Sequence, residues 1–90
     1  MKIVTINASI DKKKKVEFYQ TFESIQPMIK KYCNEIKTEI DQNNNLVIRV
    51  IFSNKEEMDK NFSNSEFNIL KGSVRSLCEN VNISINDLKA

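Results

Sequence analysis

The sequence predicts an α+β fold: one antiparallel sheet with its helices on a single face. Three observations predict it. Residues 2–10 alternate strictly, with Val4, Ile6, Ala8 and Ile10 on one side and Ile3, Thr5, Asn7 and Ser9 on the other. That is the pattern of a strand with one buried face. Residues 46–52, LVIRVIF, are apolar on both sides except at Arg49, as suits a central strand. Two longer segments repeat their apolar residues at helical spacing.

Taken in order, Asp11 follows the first strand and can cap a helix. That helix carries the stripe Val16, Tyr19, Phe22, Ile25, Ile29, Tyr32 and Cys33, with Phe18, Met28 and Ile36 nearby. Lys12–Lys15 fill its first turn, against the helix dipole, and read as a solvated charge run or an anion site. Pro27 removes a backbone donor and predicts a kink near Gln26, or two short helices sharing one face.

Ile36, Thr38 and Ile40 alternate with Lys37, Glu39 and Asp41 to make a half-exposed second strand. The run from Gln42 to Asn45 is a turn, since Asn tolerates positive φ. With the central strand it makes a hairpin over 36–52. Ser53 with Glu56, or Asn54 with Glu57, opens a short helix ending near Asn61. Ser63 and Glu66 then read as a capping box, with Phe62 and Phe67 where a hydrophobic staple would sit. Phe67, Leu70, Val74, Leu77 and Cys78 continue the third helix as one stripe. Gly72, the only glycine, interrupts it, and something is expected to approach too closely there for a side chain. Asn80 reads as the C-cap. Val81, Ile83 and Ile85 alternate with Asn82, Ser84 and Asn86 in a last, edge strand.

The order β-α-β-β-α-α-β is a split βαβ arrangement, which is ferredoxin-like. Ninety residues (1–90) make a single domain of limited monomer stability. The uncovered sheet face cannot be wholly polar, so it is expected to bury itself against a second copy in a homodimer.

Composition excludes several classes. A net charge of +2, with only Arg49 and Arg75 as arginines, argues against a nucleic-acid partner. Histidine is absent, which removes the commonest general base and zinc ligand. No P-loop or GxGxxG appears, and no cofactor or metal is expected. Cys33 and Cys78 sit in apolar patterns and read as small buried hydrophobes, although lysines near Cys33 leave a reactive thiol open. The start of the chain lacks a signal-peptide pattern, and no apolar run nears the roughly 20 residues of a membrane span. A cytoplasmic location with no membrane partner is expected.

Ile51-Phe52-Ser53-Asn54-Lys55-Glu56-Glu57-Met58, then Ser63-Asn64-Ser65-Glu66-Phe67 and Leu70-Lys71-Gly72, resemble the second half of the antibiotic biosynthesis monooxygenase family. Ile25-Gln26-Pro27 and Cys33 fit its first half loosely. The resemblance implies a dimeric α+β barrel and a monooxygenase that oxidises a quinol or polyphenol without a cofactor. It implies three catalytic positions: Asn7 as an amide partner for a substrate oxygen, Phe52 as a stacking wall and Asn61 as a second polar contact. Tyr19, Phe22, Arg49 and Phe67 would form the substrate pocket, with Arg49 stabilising an anion. The family usually has Trp where Phe52 stands, and often His where Asn61 stands. Without His, the usual proximal ligand of haem-degrading relatives is missing.

Each candidate also has an ordinary structural reading. Phe52, Phe22 and Tyr19 fit a core. Asn61 fits a helix end. Asn7 fits a surface or a dimer interface, and Arg49 fits a cross-strand pair with Glu39 or Asp41. A dimeric module that binds a small aromatic or apolar ligand without chemistry is therefore the alternative.

Overall fold

A computed structural model describes residues 1–87. The elements are β1 (Lys2–Ile10), α1 (Lys15–Ile29), β2 (Glu35–Ile40), β3 (Asn45–Phe52), α2 (Lys55–Asn61), α3 (Ser65–Leu77) and β4 (Cys78–Asp87). Short 3-10 turns at Lys12–Lys14 and Lys30–Tyr32 flank α1. The sheet order is β2-β3-β1-β4, with every neighbouring pair antiparallel. The predicted order and α+β class hold, with β3 and β1 central.

Register explains the layering. Val4 pairs with Val50, Ile6 with Ile48 and Ala8 with Leu46, while Ile36 pairs with Val50 and Thr38 with Ile48. These residues share the face that meets the helices. There Val4, Leu46, Ile48 and Val50 are fully buried with Phe18, Ile29, Phe67 and Leu70. No polar or charged residue is buried among the described residues. The opposite face carries Ile3, Val47 and Ile51 among Thr5, Asn7, Lys37, Glu39 and Arg49. It is mixed, with three partly buried apolar residues amid polar ones.

Several local expectations are corrected. The buried stripe of α1 is Phe18, Phe22, Ile25 and Ile29, whereas Val16 is 68% exposed. Phe22, Ile25 and Ile29 of the expected stripe are buried, and Phe18, rather than Val16 or Tyr19, begins it. Asp11 does cap, accepting from the Lys13 N–H at 2.8 Å, but it caps the 3-10 turn before α1. Pro27 lies inside the last turn of α1 as one continuous helix rather than dividing two. The missing N–H leaves the Glu23 carbonyl without its i→i−4 donor, and α1 runs two residues past Pro27 before the chain tightens into the 3-10 turn at Lys30–Tyr32.

The cap of α3 is Asn64, not Ser63. Its Oδ1 accepts from the Phe67 N–H at 2.9 Å. Glu66 turns to Ser65 instead of closing a box. Phe62 and Phe67 still meet, with ring centroids 5.4 Å apart. Of the two caps considered for α2, Asn54 is used, accepting from the Glu57 N–H at 2.9 Å. Nothing lies within 4 Å of where a Cβ on Gly72 would be, so the close approach expected there is absent. The third helix stops at Leu77, and Cys78 already belongs to β4. Asn80 therefore caps no helix. It sits in β4 with φ 55°, where the register with β1 shifts between Asn7 and Ser9. The residue type suits positive φ in either role; here it makes a bulge.

Candidate ligand groove and a small polar pocket

The structure divides the seven candidate residues among separate places. Tyr19, Phe22 and Arg49 line one groove of about 640 Å³ beside the edge strand β2. Phe52 and Asn61 meet at a pocket of about 130 Å³ with Cys33, Asn34, Ser53 and Glu57. Asn7 stands apart on the open sheet face, exposed, in a shallow depression with Ser9, Asn45 and Asn80. Phe67 is fully buried and lines neither.

The separation of Asn7 from Phe52 follows from the pleat. Phe52 pairs with Lys2, and Asn7 with Val47. An odd offset of five residues along β1 puts Asn7 on the opposite face and well down the strand. Phe52 instead joins an aromatic cluster under the helices, 5.7 Å from Phe67 and 6.2 Å from Phe62 between ring centroids. Lys71 closes this cluster. Its Nζ lies 4.4 Å from the Phe62 ring centroid and donates to the Phe62 carbonyl at 2.9 Å. Burial, followed by the nearby Arg75 charge, holds its ammonium below the usual lysine range.

In the small pocket the polar side chains satisfy one another. Ser53 Oγ donates to Asn34 Oδ1 at 2.9 Å, and Asn61 Nδ2 donates to Glu57 Oε2 at 3.2 Å. Burial pushes the Cys33 thiol up, against a backbone hydrogen bond at Glu35 and the charge of Lys30. Its Sγ donates to the Ile29 carbonyl at 3.6 Å. This is the setting of an unreactive thiol. Cys78 is buried and pushed up likewise.

The groove is chemically mixed. Tyr19, Phe22, Glu23 and Gln26 come from α1, and Ile36 and Thr38 from the helix-facing side of β2. Lys37, Glu39, Val47 and Arg49 come from the open face, so the groove wraps the sheet edge. Arg49 Nη1 donates to Glu39 Oε1 at 3.1 Å, the cross-strand pair expected as its structural role. Sequence reasoning named Tyr19, Phe22 and Arg49 but missed Glu39 and Thr38 as groove walls. The signal for Thr38 was present: a hydroxyl interrupts the row Ile36–Ile40. Among the described residues, no group of three or more Cys, Asp or Glu side chains is placed to hold a metal ion.

No protein-family model matches the sequence, and no curated protein does. Solved structures do. A Deinococcus radiodurans protein provisionally named an antibiotic biosynthesis monooxygenase is similar over 100% of this chain and 94% of its own, with TM-score 0.83 and 14% identity. A structure named antibiotic biosynthesis monooxygenase matches over 100% of both chains, with TM-score 0.81 and 12% identity. This chain has the fold of the antibiotic biosynthesis monooxygenases. A Caulobacter crescentus CB15 protein, provisionally named in the same way, matches over 99% of this chain and 90% of its own at TM-score 0.84 and 10% identity. The antibiotic biosynthesis monooxygenase fold accounts for the sheet order and for the helices on one face. At such identities it carries the architecture and not the chemistry.

Proposed function

We propose that this chain binds a quinol or polyphenolic small molecule in the groove at the β2 edge and promotes its cofactor-independent oxygenation. One observation carries the reading: three residues chosen from sequence, Tyr19, Phe22 and Arg49, line a single groove of about 640 Å³. That volume lies in the range of small-molecule sites, roughly 300–1,000 Å³. The pocket of about 130 Å³ at Phe52 and Asn61 is too small for such a ligand. The aromatic faces of Tyr19 and Phe22 suit a flat ring, while the Arg49 guanidinium suits an ionised phenolic oxygen. A polyphenol spans the two sides of the edge strand. Its anion is electron-rich enough to reduce dioxygen itself, so the protein's part is to hold the ring, favour the anion and limit water. Glu39 holds Arg49 in place.

A second reading, a ligand-binding module without chemistry, is favoured by the interior. Phe52 and Phe67 are fully buried and pack with Phe62, filling the space beneath α2 and α3. Phe52→Ala is consequently a poor probe of catalysis, because losing a buried Phe costs about 3–5 kcal/mol of stability.

The test is oxygen uptake with a panel of anthrones and hydroquinones, comparing the native chain with a Tyr19→Ala, Arg49→Ala variant. The native chain should accelerate uptake over buffer, and the variant should lose most of that gain, on the order of tenfold or more. Equal rates for the two proteins would sink the oxygenase. Saturable binding without uptake would establish the second reading. We further propose that the part of the open face around Ile3 and Ile51 is covered by a second copy of the chain.

A further inference from the structure

Lys37 of β2 and Arg49 of β3 are partners in the antiparallel register, so two cations stand directly opposite each other on the open face. Their Cβ atoms are then about 5 Å apart, and like charges so placed destabilise a sheet. Each is compensated on its outer side only. Lys37 Nζ lies 3.2 Å from Glu35 Oε1, and Arg49 Nη1 donates to Glu39 Oε1 at 3.1 Å. Glu35 and Glu39 stand on either side of Lys37 along β2, and among the described residues no carboxylate bridges both cations. One contact apiece leaves the rest of the guanidinium fork and of the ammonium to a ligand. The Lys37 and Arg49 side chains are 75% and 49% exposed, so a ligand reaches both. Both line the groove that holds the Tyr19 and Phe22 rings. The unpaired carboxylate of that groove, Glu23, belongs to α1, on the helix side of the edge strand.

We propose that the groove selects aromatic ligands carrying a carboxylate beside the phenolic hydroxyl, with Lys37 as the specificity-determining residue. This rests on the groove reading above. The ring lies against Tyr19 and Phe22, the phenolic oxygen meets Arg49 and the neighbouring carboxylate meets Lys37. An anion between the two cations replaces their repulsion with charge-assisted contacts to both. Ion pairs as exposed as those to Glu35 and Glu39 hold their partners weakly, so both cations can turn toward the ligand. A neutral ester of the same ring forfeits the Lys37 contact and leaves the cations opposed.

The test compares 1-hydroxy-2-naphthoate with its methyl ester by fluorescence titration. The native chain should prefer the acid by about tenfold. Lys37→Gln should bring the two affinities within about twofold of each other, while Lys37→Arg, which keeps the charge, should retain the native preference. Lys60→Gln makes the same change of charge on α2, outside the groove, and should also retain it. If the native chain binds both rings and Lys37→Gln keeps the native ratio, or Lys60→Gln lowers it as much, the role of Lys37 is overturned while the groove stands. Equal native affinities for acid and ester overturn it as well. If the native chain binds neither ring, the groove reading fails and takes this selectivity with it.

Discussion

At Gly72 an added methyl group would meet nothing within 4 Å, on the exposed side of a helix whose buried face is Phe67, Leu70 and Val74. The glycine therefore contributes only its backbone freedom, which the unfolded chain keeps and the helix loses. Gly72→Ala should stabilise the protein by about 0.5–1 kcal/mol, a rise of about 2–8 °C in melting temperature for a domain of this size. An unchanged or lowered melting point would mean that a neighbouring chain covers the glycine in solution. This residue shows a limit of reading glycine from sequence. Its position in the helix was clear from the 3.6-residue period, but its solvent-facing side tells only that no side chain was needed. Asn80 is the reverse case. Positive φ was readable from the residue type, while the bulge that uses it depends on a register with β1 that no local pattern encodes.

The hairpin between β2 and β3 is organised by one carboxylate. Asp41 Oδ1 accepts from the backbone N–H groups of Asn43 at 2.8 Å and Asn45 at 3.0 Å, while Asn44 takes φ 63°. The Asn45 backbone bond, foremost, holds the Asp41 carboxyl below the usual carboxylate range. A folded pKa below the unfolded one, near 3.9, means that this contribution is complete above that value and is lost as pH falls through the lower folded pKa. Asp87, held down by its bond to Lys2, acts in the same direction. Melting temperatures measured from pH 6 to pH 2 should fall less steeply for Asp41→Asn than for the native chain. Parallel acid limbs would refute the assignment. Strands and hairpin were legible because a period of two and an Asn-rich turn are local signals. The buried face of α3 was legible at Phe67, Leu70 and Val74, and that of α1 from Phe22 onward. The cap of α3 was misplaced by one residue because Ser63, Asn64 and Ser65 are all competent caps, and no local pattern decides among them.

For the molecule as a whole, the sheet presents one sealed face and one open one. Ile3, Val47 and Ile51 on the open side are too few to be a core; Ile3 pairs with Ile51 across β1 and β3, and the Thr5–Arg49 pair separates them from Val47. A second copy would remove them from water. Sedimentation at micromolar concentration should give twice the 10.5 kDa chain mass, and a mass near 10.5 kDa would defeat the dimer. The candidate site was less legible than the fold at this scale. Asn7, Phe52 and Asn61 were placed together by resemblance, and only the pleat shows that Asn7 lies across the sheet from the other two.

That no polar residue lies in the core among the described residues has an evolutionary consequence. An interior of aliphatic and aromatic groups asks each position for volume and pattern and rarely for one residue type. Substitutions there can accumulate singly, each compensated by a neighbour, with no polar partner to preserve in step. Sequences with such an interior can therefore diverge widely while keeping one backbone. The positions that resist drift are then the few whose chemistry, rather than their size, is required.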